Sequence, residues 1–201
     1  MKQQQPTALE LESGGVTLVI IDMQEPFLAH CASPQFIAAV IDQVKLAKTR
    51  NWGIVIVEVK PWAYGPTIKP IMELLDGQYE RLRIVLKEGD DGSQQVLEIC
   101  QAAKLPDQFF RVTGVLIGAC VKSTAWGLSA RKQDCFVRVI KEACATNGNT
   151  ASSWATFKEG HRVVVSSNSI DKKPSSILQQ IKLKITFLLS LLMETLYETF
   201  K

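Results

Sequence analysis

The chain has 201 residues, enough for one domain with a substantial core and too few for two comfortable ones. Hydrophobic residues make up 46%, which excludes wholesale disorder. The net charge of +3 is weak and scattered, with no basic stripe interleaved with aromatics, so it does not suggest nucleic-acid binding.

The first fifteen residues, MKQQQPTALELESGG, have no apolar run of the kind a signal peptide needs. They read as a flexible polar tail. The first predicted strand follows at residues 16–21 (VTLVII), and a predicted helix at 34–50. Its Phe36, Ile37, Val40, Ile41, Val44 and Ala47 share one face, and Pro34 suits the first turn. Strand two is expected at 53–59 (GIVIVEV) and strand three at 82–86 (LRIVL), followed by a helix at 94–103. Strand four is expected at 111–116 (RVTGVL), with a helix at 119–132. Strands five and six are expected at 136–140 (FVRVI) and 162–166 (RVVVS).

Several of these runs are apolar at consecutive positions, which marks strands buried on both faces. Strand alternating with helix implies right-handed crossovers. The predicted fold class is therefore α/β: a three-layer sandwich with an open, mostly parallel sheet of about six strands flanked by helices. The main domain is expected over 16–174. A helix is predicted over 175–201, beginning after Pro174. One face carries Leu178, Ile181, Ile185, Leu188, Leu189, Leu192, Leu196 and Phe200, and the other Leu183, Phe187 and Leu191. Two apolar faces call for two partners, so this helix is expected to pack on its own domain and on a second subunit, in a homodimer or larger assembly.

The longest uncharged apolar run, 185–193, is too short to cross a bilayer, so no membrane partner is expected. The five cysteines (Cys31, Cys100, Cys120, Cys135 and Cys144) are odd in number and include no C-x-x-C, which reads as a reduced, cytoplasmic protein.

In a parallel α/β sheet, sites form beyond the carboxyl ends of the strands. Strand one ends at Asp22 and strand three at Lys87, and strand four runs into Gly118-Ala119-Cys120 at a helix start. Together they make a coherent hydrolytic set. The thiol becomes nucleophilic as thiolate, which a helix N-terminus and an ammonium favour, and the carboxylate takes the proton. The simpler alternative for each is a buried apolar thiol, a turn aspartate and a solvated lysine.

Residues 18–27 (LVIIDMQEPF), 84–87 (IVLK) and 114–125 (GVLIGACVKSTA) resemble the signatures of the isochorismatase-like cysteine hydrolases. The resemblance implies Asp22 as general base, Lys87 as the stabiliser of the anion and Cys120 as nucleophile. It also implies a non-proline cis peptide between Val115 and Leu116, aiming the Leu116 N–H, with that of Cys120, at an oxyanion. Phe27 would line the substrate pocket. Trp62 belongs to the segment 62–70, which together with 28–34 is expected to set pocket specificity.

Members resembling nicotinamidases carry an Asp-x-His metal site after strand two. This chain has Glu58-Val59-Lys60 there, and only His30 and His161 in all, so no metal is expected. No organic cofactor is implied either, because the phosphate-binding glycine motifs are absent. Having Cys120 favours the amide-, carbamoyl- or ureido-cleaving branch acting on a small molecule. Glu142 stands where the family usually has Asp and reads as a turn or helix-cap residue, while Trp126 replaces a more usual polar residue. The alternatives are an inactive family member serving in binding or assembly, and a thiol-redox protein with an exposed, low-pKa Cys120.

Overall fold

The computed structural model describes residues 15–75, 78–157 and 162–167. The chain divides into two compact units, Met1–Ser166 and Ser167–Lys201. All but one of the described residues fall in the first. The predicted tail before residue 15 and the predicted helix over 175–201 lie outside the described residues.

Six parallel strands form one sheet. They are β1 (Thr17–Ile21), β2 (Gly53–Val59), β3 (Leu82–Lys87), β4 (Phe109–Val115), β5 (Phe136–Ala145) and β6 (Val163–Ser166), in the spatial order β3-β2-β1-β4-β5-β6. The chain order reverses beside β1, so a crevice is expected where β1 and β4 meet at their carboxyl ends.

The helices among the described residues are α1 (Glu25–Leu28), α2 (Pro34–Thr49), α3 (Pro61–Tyr64), α4 (Lys69–Leu75), α5 (Ser93–Ala103), α6 (Lys122–Arg131) and α7 (Thr150–Ala155). A π-helical turn, Ile117–Val121, precedes α6. α2 begins as its sequence directs: the Ser33 side chain accepts a hydrogen bond from the Phe36 N–H at 3.1 Å, and Pro34 occupies the first turn.

Central strands β1, β2 and β4 are buried along nearly their whole length, as their unbroken apolar runs predict. Alternation splits their side chains between two cores. Leu18, Ile20, Ile54 and Ile56 join Phe36, Val40 and Ile71 beneath α2 and α4. Val19, Ile21, Val55 and Val57 join Val96, Ala125 and Leu128 beneath α5 and α6.

Two expectations change here. Glu142 is an exposed residue within β5, not a turn or cap residue. Val112 and Gly114 pair with Val139 and Cys144, so β5 bulges between its partners and carries Glu142 in that bulge. No cis peptide bond occurs among the described residues. The turn after β4 is instead made by Leu116 in the left-handed conformation, φ 66° and ψ 67°. That reverses the chain into the π turn with a trans bond.

Candidate active site

Asp22 immediately follows β1, and its N–H donates to the Val57 carbonyl at 2.9 Å, extending the β1–β2 ladder by one bond. It holds φ at 51°, an uncommon conformation for a residue with a side chain. Lys60, after β2, and Leu116, after β4, are also left-handed at 41° and 66°. Unusual backbone therefore gathers at the carboxyl edge of three adjacent strands, a pattern associated with functional sites.

Gly114 sets how closely β4 approaches this edge. A Cβ there would lie 2.1 Å from the Ile21 carbonyl oxygen, and its φ of 131° suits glycine alone. The absence of that atom lets the turn bearing Cys120 lie against the end of β1.

Lys87 closes β3, two strands away from β1. At about 4.8 Å per strand, only a long side chain spans that gap. Lys87 Nζ stands 2.8 Å from Asp22 Oδ2, with both side chains wholly buried. Gly92 clears its path, since a Cβ there would press on Val57 Cγ1 at 2.8 Å and on the Lys87 Cδ at 3.3 Å. Lys87 Nζ also donates to the Asp90 carbonyl at 3.2 Å.

Cys120 lies in the π turn and is 4% exposed. A π turn inserts a residue into the helical path and recurs at functional sites. The structure thus brings Asp22, Lys87 and Cys120 together at one strand edge. The thiol donates to Asp90 Oδ1 at 3.7 Å and is coupled to both Asp22 and Lys87.

The electrostatics run against the simplest sequence expectation. Burial, foremost, and the Asp22 charge push the Cys120 thiol up to about 12, with Lys87 pulling the other way. Burial likewise raises Asp22, opposed by the charge and contact of Lys87. The resting thiol is therefore protonated, beside a carboxylate that has become a better base. The exposed, low-pKa thiol required by a redox role is not what the fold builds. Lys87 is in ion-pair contact with Asp22 at 2.8 Å, and contacts from Lys87 and from the Cys120 thiol oppose the burial that raises the carboxyl's pKa. The carboxylate is thus held by charge within reach of the thiol proton.

Phe27 is half-buried, with its ring 5.0 Å from that of Tyr64. Trp62, in α3, is 68% exposed, so within one chain it can form only the rim of a site. Trp126 packs partly buried against the α5/α6 core.

Several organising residues escaped the sequence reading. Gln24 donates to the Val59 and Gly65 carbonyls at 3.1 and 2.6 Å and accepts from the Val59 N–H at 3.0 Å. Glu58 is buried and accepts from the Thr67 N–H at 2.7 Å. These two fix the segment after β2, and Glu58 serves the loop at the position where nicotinamidase-like members carry Asp-x-His. Among the described residues no group of three His, Cys, Asp or Glu is arranged to hold a metal ion. Asp90 has its own signal in the sequence: Gly89-Asp90-Asp91-Gly92 follows the strand-end lysine after one residue, Glu88, and spells a tight loop.

No protein-family model matches the chain, and no curated protein is similar to it in sequence. Solved structures do share its fold. The MAR1 ribonuclease from Caenorhabditis elegans matches with a TM-score of 0.62 and 19% identity, over 76% of this chain and 77% of that one. The YcaC gene product from Escherichia coli, described as an octameric hydrolase of unknown specificity, matches with a TM-score of 0.61 and 16% identity over 75% of each chain. An isochorismatase family protein from Burkholderia thailandensis matches with a TM-score of 0.61 and 14% identity, over 78% of this chain and 92% of that one. The α/β fold of this chain is therefore shared with isochorismatase-like structures.

Proposed function

We propose that the chain is a cysteine hydrolase that cleaves a C–N bond (amide, carbamoyl or ureido) of a small molecule through a thioester on Cys120. One observation carries this reading: a buried thiol, a buried carboxylate with raised proton affinity and a buried ammonium meet at the carboxyl edge of a parallel sheet. The isochorismatase-like fold neighbours support it.

In the proposed reaction Asp22 takes the thiol proton as sulfur attacks the carbonyl carbon, so no free thiolate has to persist in a site that disfavours one. Lys87 holds Asp22 in place and balances the negative charge that develops. The backbone N–H groups of Leu116 and Cys120 receive the oxyanion, a contribution of about 3–4 kcal/mol to barrier lowering. Asp22 then hands its proton to the departing nitrogen and the C–N bond breaks. Water, deprotonated by Asp22, adds to the thioester. The C–S bond breaks and the thiol is re-formed. Asp22 suits the base role because burial raises its affinity for a proton. Phe27 and Trp62 line the entrance, and no step calls for a metal or organic cofactor.

The proposal extends to the setting. All five cysteines are free, which suits a reducing cytoplasm. No helix among the described residues is long and apolar enough to cross a membrane. The proposal includes self-association into a dimer or larger assembly with 175–201 in the interface. The octameric fold neighbour supports assembly as such, and Ile84 and Leu86, 45% and 49% exposed on the edge strand β3, offer a second apolar surface for it.

The test is ammonia release from a panel of small amides, carbamoyl compounds and ureido compounds, together with mass detection of an acyl adduct on Cys120. Turnover without any adduct on Cys120, and undiminished in Cys120→Ala, overturns the mechanism.

A further inference from the structure

Asp90 has no place in the proton transfers above, yet its carboxylate is the group that the Cys120 thiol touches from the solvent side. Cys120 Sγ lies 3.7 Å from Asp90 Oδ1, and Asp90 is exposed where Asp22 and Lys87 are buried. Its position is fixed by the site itself. Lys87 Nζ donates to its carbonyl at 3.2 Å, and the Thr124 hydroxyl, on the helix that follows Cys120, does so at 3.4 Å. The Gly92 N–H donates to that same hydroxyl at 3.0 Å.

The next residue anchors the loop further. Asp91 accepts from the Ser93 N–H at 2.8 Å and pairs with Arg131 at 2.9 Å. Gly127 admits this arrangement, because a Cβ there would meet Ser93 Oγ at 2.3 Å and the Asp91 oxygens at 2.6 and 2.8 Å. The loop 88–92 is thus clamped to α6 and to the catalytic lysine, and the bonds to its carbonyl fix where the Asp90 side chain leaves the backbone beside Cys120.

The local charges do not cancel. Asp22 and Lys87 neutralise each other at 2.8 Å, and Asp91 is matched by Arg131. Among the described residues no Lys, Arg or His forms an ion pair with the Asp90 side chain. One negative charge is left beside the nucleophile, where the protein lies on one side and screening is incomplete.

We propose that Asp90 is a specificity-determining residue that admits neutral and cationic acyl compounds to Cys120 and turns away those with a carboxylate next to the scissile carbonyl. This deepens the hydrolase reading, on which its substrate class rests, by removing carbamoyl and ureido acids from the favoured set. A single like charge a few ångströms from the thiol disfavours an anion by about tenfold in rate.

The experiment reads the field at the thiol without needing turnover. The full chain is treated with methyl, trimethylammonioethyl and sulfonatoethyl methanethiosulfonates, which are neutral, cationic and anionic. Formation of the mixed disulfide on the Cys120 peptide is followed by mass. The cationic reagent is expected to react at least about tenfold faster than the anionic one. That ratio should fall toward one in Asp90→Asn and stay in Asp90→Glu, while the neutral reagent changes little. Melting curves check that both variants are folded. An equal ratio in wild type and Asp90→Asn overturns the proposal. So does a preference for the anion, or failure of all three reagents to reach Cys120, since Asp90 then guards no path to it. A chain that shows the charge preference but hydrolyses nothing refutes the hydrolase reading alone. One that hydrolyses carboxylate-bearing amides as readily as neutral ones refutes the Asp90 proposal alone.

Discussion

Asp22 and Lys87 stand 65 positions apart in sequence and 2.8 Å apart in the fold, with neither side chain exposed to solvent. A buried ion pair adds little net stability when whole, but removing one partner strands the other charge. Asp22→Asn and Lys87→Met should each destabilise the protein by about 3–5 kcal/mol, and the double variant by clearly less than their sum. Urea unfolding of the four proteins measures this. Additive losses would mean that the contact carries no coupling.

The same pair sets the reactivity of Cys120. Asp22 pushes its pKa up and Lys87 pulls it down, so the two single variants should move it in opposite directions. Iodoacetamide labelling of the Cys120 peptide, followed below pH 9 where the fold is intact, should run faster in Asp22→Asn and slower in Lys87→Met than in the wild type. Shifts of equal sign would contradict this account of the site.

Burial of the thiols also has a consequence for stability. The native Cys120 holds its proton up to about 12, whereas an unfolded thiol releases it near 9.0. Cys100 is likewise raised to about 12 and Cys135 to about 11. Between these values the native state binds more protons than the unfolded state, so stability falls as pH rises. It is intact below about pH 9 and declines progressively toward 12. Melting temperatures from pH 8 to 11 should fall, and a Cys120→Ala variant should lose part of that slope. A flat profile would show that these thiols are not buried as described.

Turnover should fail without the nucleophile or the base. Cys120→Ala is expected to lose at least about 10³-fold in activity while melting within a few degrees of the wild type. Asp22→Asn should lose about 10²–10⁴-fold, because the amide fills the same space but accepts no proton. Activity on the best substrate of the panel, read beside far-ultraviolet circular dichroism, separates chemistry from folding. Comparable turnover in either folded variant would remove that residue from the mechanism.

Gly114→Ala should be severe although it adds one methyl group. The new Cβ would meet the Ile21 carbonyl oxygen at 2.1 Å in a backbone conformation suited to glycine. A loss of about 3 kcal/mol or more is expected, with the β1–β4 contact and the Asp22–Cys120 approach loosened together. Wild-type stability and activity in this variant would mean that β1 and β4 can separate at no cost.

For self-association, light scattering on the full chain and on a chain cut after Lys173 should give an oligomer and a smaller species, respectively. A full-length monomer defeats the assembly proposal. An oligomer that survives the cut moves its interface to the domain, where β3 presents Ile84 and Leu86.

The layers are legible in the residues alone. Consecutive apolar runs such as GIVIVEV have no polar face to offer water, so they become the buried strands of a helix-covered parallel sheet. Strand-end position sufficed to nominate Asp22, Lys87 and Cys120, because a parallel sheet gathers its loops at one edge. What lay beyond the sequence was how they meet. The lysine reaches across β2 only because Gly92 leaves its path open, and β4 closes on β1 only because Gly114 has no side chain. The turn expected to need a cis bond was made by a left-handed Leu116, and the three-residue slip that carries Glu142 into β5 depends on pairing with β4. The sign of the thiol's shift was likewise decided by the tertiary structure. A helix start and a nearby ammonium are visible in sequence and favour the thiolate. Desolvation and the opposing carboxylate exist only once the core has closed around Cys120, and in this fold they prevail.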